Sequence, residues 1–304
     1  MEILTKTLSL QLTLLFLILF GILAKKRGVI KTEGQKTLSD LLIFFVLPCN
    51  ILSSYLHHAA PDAAFFHNCL LLVLISLLIL LAAILGAPLL FRRFSPELRS
   101  IMTYGLICSN SSFVGLPIAG ALYGSLGMVY GSIFQIPIRF VMWTYGLALF
   151  THSPGGRRAW RNILLHPCIL AVFAGLLLML ADIPLPAFLE NGIGAVGNCT
   201  TALSMIVIGS ILADAPVRSL FSAPVLYFSF LRLLAFPLFV FVCLLPFSLD
   251  HEVVRIILLM TAMPAGSTLS ILADKYGMRP AEASQMLFTS TLFSIVTVPL
   301  ITLL

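Results

Sequence analysis

The stretch ICSNSSFVGLPIAGALYG, residues 107–124, sets Asn110, Ser111, Ser112, Gly115 and Pro117 inside a long apolar run. A membrane helix would carry Leu and Val at such positions. Pro117 has no N–H to donate to the carbonyl of Phe113, and the glycines beside it let the backbone leave helical geometry. Backbone groups freed in hydrocarbon are costly unless protein or water satisfies them. The stretch is therefore expected to face a polar partner instead of lipid.

The surrounding chain makes that setting a bilayer. Its 304 residues are 60% hydrophobic and 10% charged, with a mean hydropathy of +1.07. Soluble domains carry about 25% charged residues. Windows of ~20 apolar residues recur from end to end, each long enough to cross a ~30 Å hydrocarbon layer as a helix. Ten spans are expected, near 4–24, 38–56, 66–91, 98–123, 128–150, 163–182, 190–213, 219–245, 251–274 and 281–303. The first does not read as a cleaved leader, because Lys25, Lys26 and Arg27 follow its apolar run and no small-residue cleavage site ends it. The fold class is an all-α polytopic membrane protein.

The net charge of +6 reads first as orientation. Fourteen Lys and Arg residues fall in one set of alternating loops, whereas only Lys6 and Arg255 lie at the opposite ends. The positive-inside rule then puts both termini on the non-cytoplasmic side of an inner or plasma membrane. Basic clusters at Lys25–Arg27, Arg92–Arg93 and Arg157–Arg158 can also touch anionic lipid. No basic patch is interleaved with aromatics on a soluble surface, which argues against nucleic acid as a partner. The six cysteines are scattered without a CxxC pair and read as small apolar packing.

Shifted by 153 residues, the chain begins to match itself. GLPIAGALYG (115–124) falls over TLSILADKYG (268–277), and 128–150 falls over 281–303. Two halves follow: residues 1–150 with five spans, a short cytoplasmic linker at 151–162, and residues 163–304 with five more. Repeats with an odd number of spans enter the membrane from opposite sides, so this is a 5+5 inverted repeat, an architecture of secondary transporters. The opening stretch thereby gains a partner, MTAMPAGSTLS at 260–270, interrupted by Pro264, Gly266, Ser267 and Thr268. Two interruptions at one offset point to unwound segments in spans four and nine that meet across a polar cavity. Half-helix N-termini suit an anion there, and C-terminal carbonyls suit a cation.

These residues carry a family likeness. NSSFVGLPIAGALYG (110–124) resembles the fourth-helix crossover of the auxin efflux carrier family, AMPAGSTLSILADKYG (262–277) its ninth-helix crossover, FTSTLFSIVTVPLITLL (288–304) its closing helix and LPCN (47–50) its second-helix proline. The resemblance covers essentially the whole chain. It implies a carrier whose helices four and nine cross at mid-membrane, within a superfamily shared with bile-acid symporters. It also implies that Asn110 meets a substrate carboxylate, with Ser111, Ser112, Phe113, Val114, Pro117, Met263, Pro264, Ala265, Gly266 and Ser267 forming the crossing and Asn50 beside it. Plant members place a long hydrophilic loop between helices five and six. Only residues 151–162 intervene here, as in short bacterial-type members linked to malate and malonate. Auxin itself is thereby put in doubt as the substrate.

Two arginines fall at membrane depth. Arg139, in FQIPIRFVMW (134–143) beside Gln135 and Pro137, either holds a substrate carboxylate or satisfies carbonyls freed nearby. Arg232, mid-span in helix eight, reads as structural or as facing a subdomain boundary. The acids lie near span ends or in loops, Asp40, Asp214 and Asp274 being nearest to membrane depth, and His166 is at a span end. That weakens a buried-aspartate exchanger and leaves H+ or Na+ open as a coupling ion, with no other cofactor implied. His57, His58 and His67 read as solvated outer-loop residues rather than a metal site. The acid pairs, HExxH helix or nucleophile–base pair that an intramembrane enzyme needs are missing. A sodium- or proton-coupled symporter of the bile-acid type, and behind it a channel, stay as alternatives to a carboxylate carrier. The Gly120-x-x-x-Gly124 spacing permits a homodimer without requiring one.

Overall fold

The computed structural model describes residues 2–56, 63–151, 165, 167–181, 183–213, 222–266 and 268–304. Most of the expected linker, His57, His58, His166, Asp214, Arg157, Arg158, Arg161 and Arg218 lie outside these residues. The architecture is helical throughout, and among the described residues the one departure toward sheet is an isolated antiparallel bridge. Eleven helices follow in order: α1 (Glu2–Lys26), α2 (Thr32–Leu56), α3 (Ala63–Leu90), α4 (Pro96–Ile107), α5 (Ser111–Val141), α6 (Pro167–Leu180), α7 (Ala187–Ile211), α8 (Ala223–Leu244), α9 (His251–Thr261), α10 (Thr268–Lys275) and α11 (Pro280–Ile301).

Six of these, α2, α3, α5, α7, α8 and α11, are long and apolar enough to cross a membrane. The expected count was ten; of the four that fall outside the six, two are α1 and the 14-residue α6, and the other two, spans four and nine, have a local cause. Spans four and nine are interrupted, leaving α4, α9 and α10 each too short to cross alone. The second part of span four runs on into span five as α5, which continues through a wide turn at Met142–Gly146 to Thr151. Within α5 the helix breaks at Gly124, where φ is +64° and ψ −151°, a conformation that glycine adopts without penalty. Wide π-type turns also interrupt α2 at Leu42–Val46 and α8 at Leu231–Ala235. An exposed leucine face, Leu74, Leu78, Leu81, Leu85 and Leu89, runs down α3 and suits lipid instead of water.

The chain forms two compact units. The first comprises Met1–Cys69, Ser112–Ile133 and Leu164–Asp214; the second comprises Leu70–Ser111, Phe134–Ile163 and Ala215–Leu304. In the first unit, α1 lies against the later half of α7. There Gly21 meets the backbone of Ile206 and Gly209 that of Ile18 so closely that no side chain would fit. The Tyr55 ring sits over Gly175 of α6 for the same reason. Small residues at such points let membrane helices approach and gain dispersion contacts. The Tyr55 hydroxyl meets that of Ser132 at 3.3 Å, and Phe65 stacks on Tyr130 at 5.8 Å.

In the second unit, Tyr104 of α4 packs edge-on to Phe150 at 5.1 Å, with Gly146 leaving room for the ring. Gly105 does the same for Phe228 of α8. Ser95 caps α4 by accepting from the Leu98 N–H, ahead of Pro96 in the first turn. The Arg279 guanidinium closes the connection between α10 and α11, donating to Glu97 at 3.2 Å and Glu282 at 2.8 Å. Hydrogen bonds to Glu97 and then to Glu282 hold its proton more tightly than in a free arginine.

Candidate functional site

The two interrupted stretches stand differently to their prolines: the second breaks ahead of Pro264, whereas the first breaks at Cys108–Asn110 and resumes helix before Pro117. α9 ends at Thr261, so the N–H that Pro264 lacks is never asked for by the carbonyl of Met260. On the other stretch, Pro117 sits just after the wide turn Ser111–Gly115, which loosens the helix over the carbonyl that Pro117 cannot serve. Between α4 and α5 the chain is extended at Cys108, and there the two stretches meet. Ser109 and Ala265 form an antiparallel bridge. The Asn110 N–H donates to the Pro264 carbonyl at 2.7 Å, and the Gly266 N–H donates to the Cys108 carbonyl at 3.0 Å. A side chain on Gly266 would meet the Cys108 oxygen at 3.1 Å and the Ser109 oxygen at 3.3 Å, so this exchange favours glycine.

Side chains complete the pairing. The Ala265 N–H donates to Ser290 Oγ of α11 at 3.2 Å, and the Tyr104 hydroxyl donates to Thr268 Oγ1 at 2.9 Å. Arg232 reaches from α8 to donate from Nη1 to the Leu106 carbonyl at 3.2 Å. Asn110 is 5% exposed, and Ser111, Met263, Pro264, Ala265 and Gly266 are buried with it. Three backbone N–H groups that could have met an anion, those of Asn110, Ala265 and Gly266, are thus occupied by protein acceptors.

The remaining expected site residues divide between the units. Gln135 is buried and Arg139 half-buried in the second, Arg139 within electrostatic reach of Tyr104 and Cys108. Ser112, Phe113, Val114, Pro117 and Asn50 belong to the first. Asn50 and Pro117 share the lining of a cavity of about 680 Å³ there, with Ser53, Ser54, Ser125, Glu190, Asn191, Asn198 and Thr201. Asn50 is held by a bond from Nδ2 to the Gly197 carbonyl at 3.0 Å, and Ser54 donates to the Asn50 carbonyl at 2.9 Å. Gly120 and Gly124, the pair that could have marked a dimer face, line the same cavity. Ser267 lies outside the described residues, and His67 is exposed. Among the described residues no cluster of His, Cys, Asp and Glu is placed to hold a metal.

Sequence reading passed over Ser290 and Tyr104, whose partners lie far along the chain, and the polar face of α7. The last had a signal. Glu190, Gly194, Asn198 and Thr201 recur at spacings of four, four and three, which puts them on one face of a helix.

A sequence model of membrane transport proteins matches residues 8–159 and again 156–302. The chain belongs to that family. It is the family of the auxin efflux carriers, and this chain is a short member. Two relatives align along nearly all of it. An "uncharacterized transporter" of Methanothermobacter thermautotrophicus is 26% identical over 298 residues, covering 95% of each chain. The "uncharacterized transporter YfdV" of Escherichia coli K12 is 22% identical over 305 residues, covering 95% of this chain and 94% of its own. Family and relatives are named for transport, and none of these names is that of an enzyme.

Proposed function

We propose that the protein is a secondary carrier that moves a small organic anion, a carboxylate of the malate or malonate kind, by alternating access. The observation that carries this reading is the buried backbone exchange between Cys108–Asn110 and Pro264–Gly266. Two helices interrupted in the same way, at stretches 153 residues apart, pair through their unwound backbones. An ordinary proline kink needs no such partner. The inverted repeat gains support from the two exits: Gly124 and Gly277, at that same offset, both adopt φ +64°. The ten-span reading counts α4 with the start of α5, and α9 with α10, as two crossing spans and adds α1 and α6 to the six, with both termini outside an inner or plasma membrane.

In this reading Asn110 offers its side-chain amide to the carboxylate. The opening turn of α5 adds the partial positive charge of a helix N-terminus. Because the N–H groups of Asn110, Ala265 and Gly266 are taken up in the pairing, those donors hold the site together instead of holding the solute. Counterflow of labelled malonate and malate into proteoliposomes tests the proposal, with Asn110→Ala as control and with Na+ and pH gradients as separate arms. Counterflow that the mutant loses supports both carrier and site. Folded protein that moves no carboxylate in the panel overturns the substrate class, and full counterflow in the mutant overturns the site.

A further inference from the structure

We propose that Arg232 supplies the fixed positive charge that makes the paired stretch of the second unit select anions, a role that rests on the carrier reading above. α8 is unusual at this point. Its turns widen over Leu231–Ala235, and Pro237 removes the N–H that would have bonded the Leu233 carbonyl. Wide turns of this kind cluster at functional positions, because the extra residue re-aims the side chains that follow. The side chain aimed here is an arginine that is 2% exposed. It projects to the last turn of α4, bonds the Leu106 carbonyl, and lies with its guanidinium 5.9 Å from the centre of the Phe236 ring.

A buried guanidinium ordinarily pairs with a carboxylate, because an isolated charge out of water is costly. Among the described residues no carboxylate pairs with Arg232, and its Nε has no acceptor. One carbonyl and one ring face satisfy little of a group with five N–H donors. The charge is thus stationed two residues before Cys108, where α4 gives way to the extended chain, and is left unneutralised. Its place matters for the field. A helix C-terminus carries about −0.5 of an elementary charge, which would repel an anion at the pairing. A full positive charge bonded to the Leu106 carbonyl reverses that sign. With three backbone N–H groups already occupied, the full positive charges left to favour an anion beside Asn110 are those of this residue and of the half-buried Arg139. Arg232 is not placed on the solute; it acts through the charge it adds to the end of α4.

A merely capping arginine would stabilise α4 and leave selectivity alone, so the test compares an anion with its neutral analogue. The purified full-length carrier is assayed for binding of malonate and of malonamide, beside its melting temperature, for wild type, Arg232→Met, Arg232→Lys and Arg139→Gln. The expected result is that Arg232→Met loses malonate affinity by about tenfold or more, the scale of one charge-assisted interaction. Malonamide binding should stay unchanged, and Arg232→Lys should keep most of the anion preference even where it melts earlier. A folded Arg232→Met protein with the wild-type ratio of malonate to malonamide binding overturns the inference. If Arg232→Met does not fold, Arg232→Lys decides: a normal melting temperature with lost anion preference overturns it, and retained preference supports it. Wild-type protein that favours no anion over its neutral analogue defeats the carrier reading and this inference together.

Discussion

Residues 107–124 and 260–277 share a backbone plan and differ in chemistry. Both carry a proline within ten residues of a helix interruption, both end in Tyr-Gly with glycine at φ +64°, and each accepts a backbone hydrogen bond from the other. At the matched offset, however, Asn110 falls over Met263, Ser111 over Pro264, Gln135 over Phe288 and Arg139 over Leu292. Arg232 falls over Ile79. In the proposed repeat, the backbone pairing would be shared while the polar side chains differ between the two copies. In the proposed carrier, the second stretch would contribute backbone and the first the groups that meet the solute.

The largest effect should come from the backbone that both stretches share. Gly266→Val drives a branched side chain against the Cys108 and Ser109 carbonyls, which are main-chain atoms that cannot rotate away. Overpacking of this kind costs about 1–3 kcal/mol, and breaking the exchange leaves buried backbone groups unpaired at a further ~1–3 kcal/mol. Melting in detergent should fall steeply; an unchanged melting temperature would show that the pairing is loose. Next comes the side-chain asymmetry. Asn110→Met copies the second stretch into the first and should lower anion binding by about tenfold or more, since a hydrogen bond to a charged group is worth roughly 1.5–3 kcal/mol. Met263→Asn, the reverse exchange, should leave binding near wild type. Equal losses in the two variants would mean that the stretches share the solute evenly.

A smaller effect is expected at Tyr104→Phe. The variant keeps the ring packed on Phe150 and beside Gly146 while removing the donor to Thr268 Oγ1. The lost bond should cost about 1 kcal/mol, with Thr268 left to find another partner. Comparing its melting with that of Thr268→Val and the double variant isolates the coupling across α4 and α10. Additive losses would mean that the hydroxyls do not depend on each other.

How much of this was legible depends on what each feature leaves in the chain. The interruptions were legible because proline and glycine mark them chemically, and their matched offset was visible in the paired Tyr-Gly exits. Where helix resumes was not. Ser111–Gly115 winds into a wide turn without any change of hydropathy to mark it, whereas the break at Gly124 falls at the Tyr-Gly exit between expected spans four and five. The polar face of α7 could have been read from Glu190, Gly194, Asn198 and Thr201, but each residue alone looks like ordinary span-end polarity. The setting of Arg232 had no sequence signal, because its acceptor is the Leu106 carbonyl, and every residue has a carbonyl. Occupation of the Asn110, Ala265 and Gly266 N–H groups was hidden for the same reason. Sequence marks where a helix must break more readily than it marks what satisfies the break.

The exit turns offer the finest comparison, and the smallest expected effect. After Gly124 the chain resumes helix without another left-handed residue, whereas after Gly277 a second one follows, Arg279 at φ +44°. A side chain is strained there, and glycine would not be. Arg279 offsets that strain with its bonds to Glu97 and Glu282, which also raise its pKa and keep it charged at any working pH. Backbone strain does not respond to salt, but solvent-exposed ion pairs do, since the screening length falls from ~10 Å at 0.1 M to ~3 Å at 1 M. Arg279→Gly should accordingly melt at or slightly below wild type in dilute buffer and slightly above it near ~1 M salt, where screening removes what the arginine contributed. A difference between the two proteins that stays constant across the salt series would assign the left-handed turn to the packing of its neighbours and leave the ion pairs without a part in holding it.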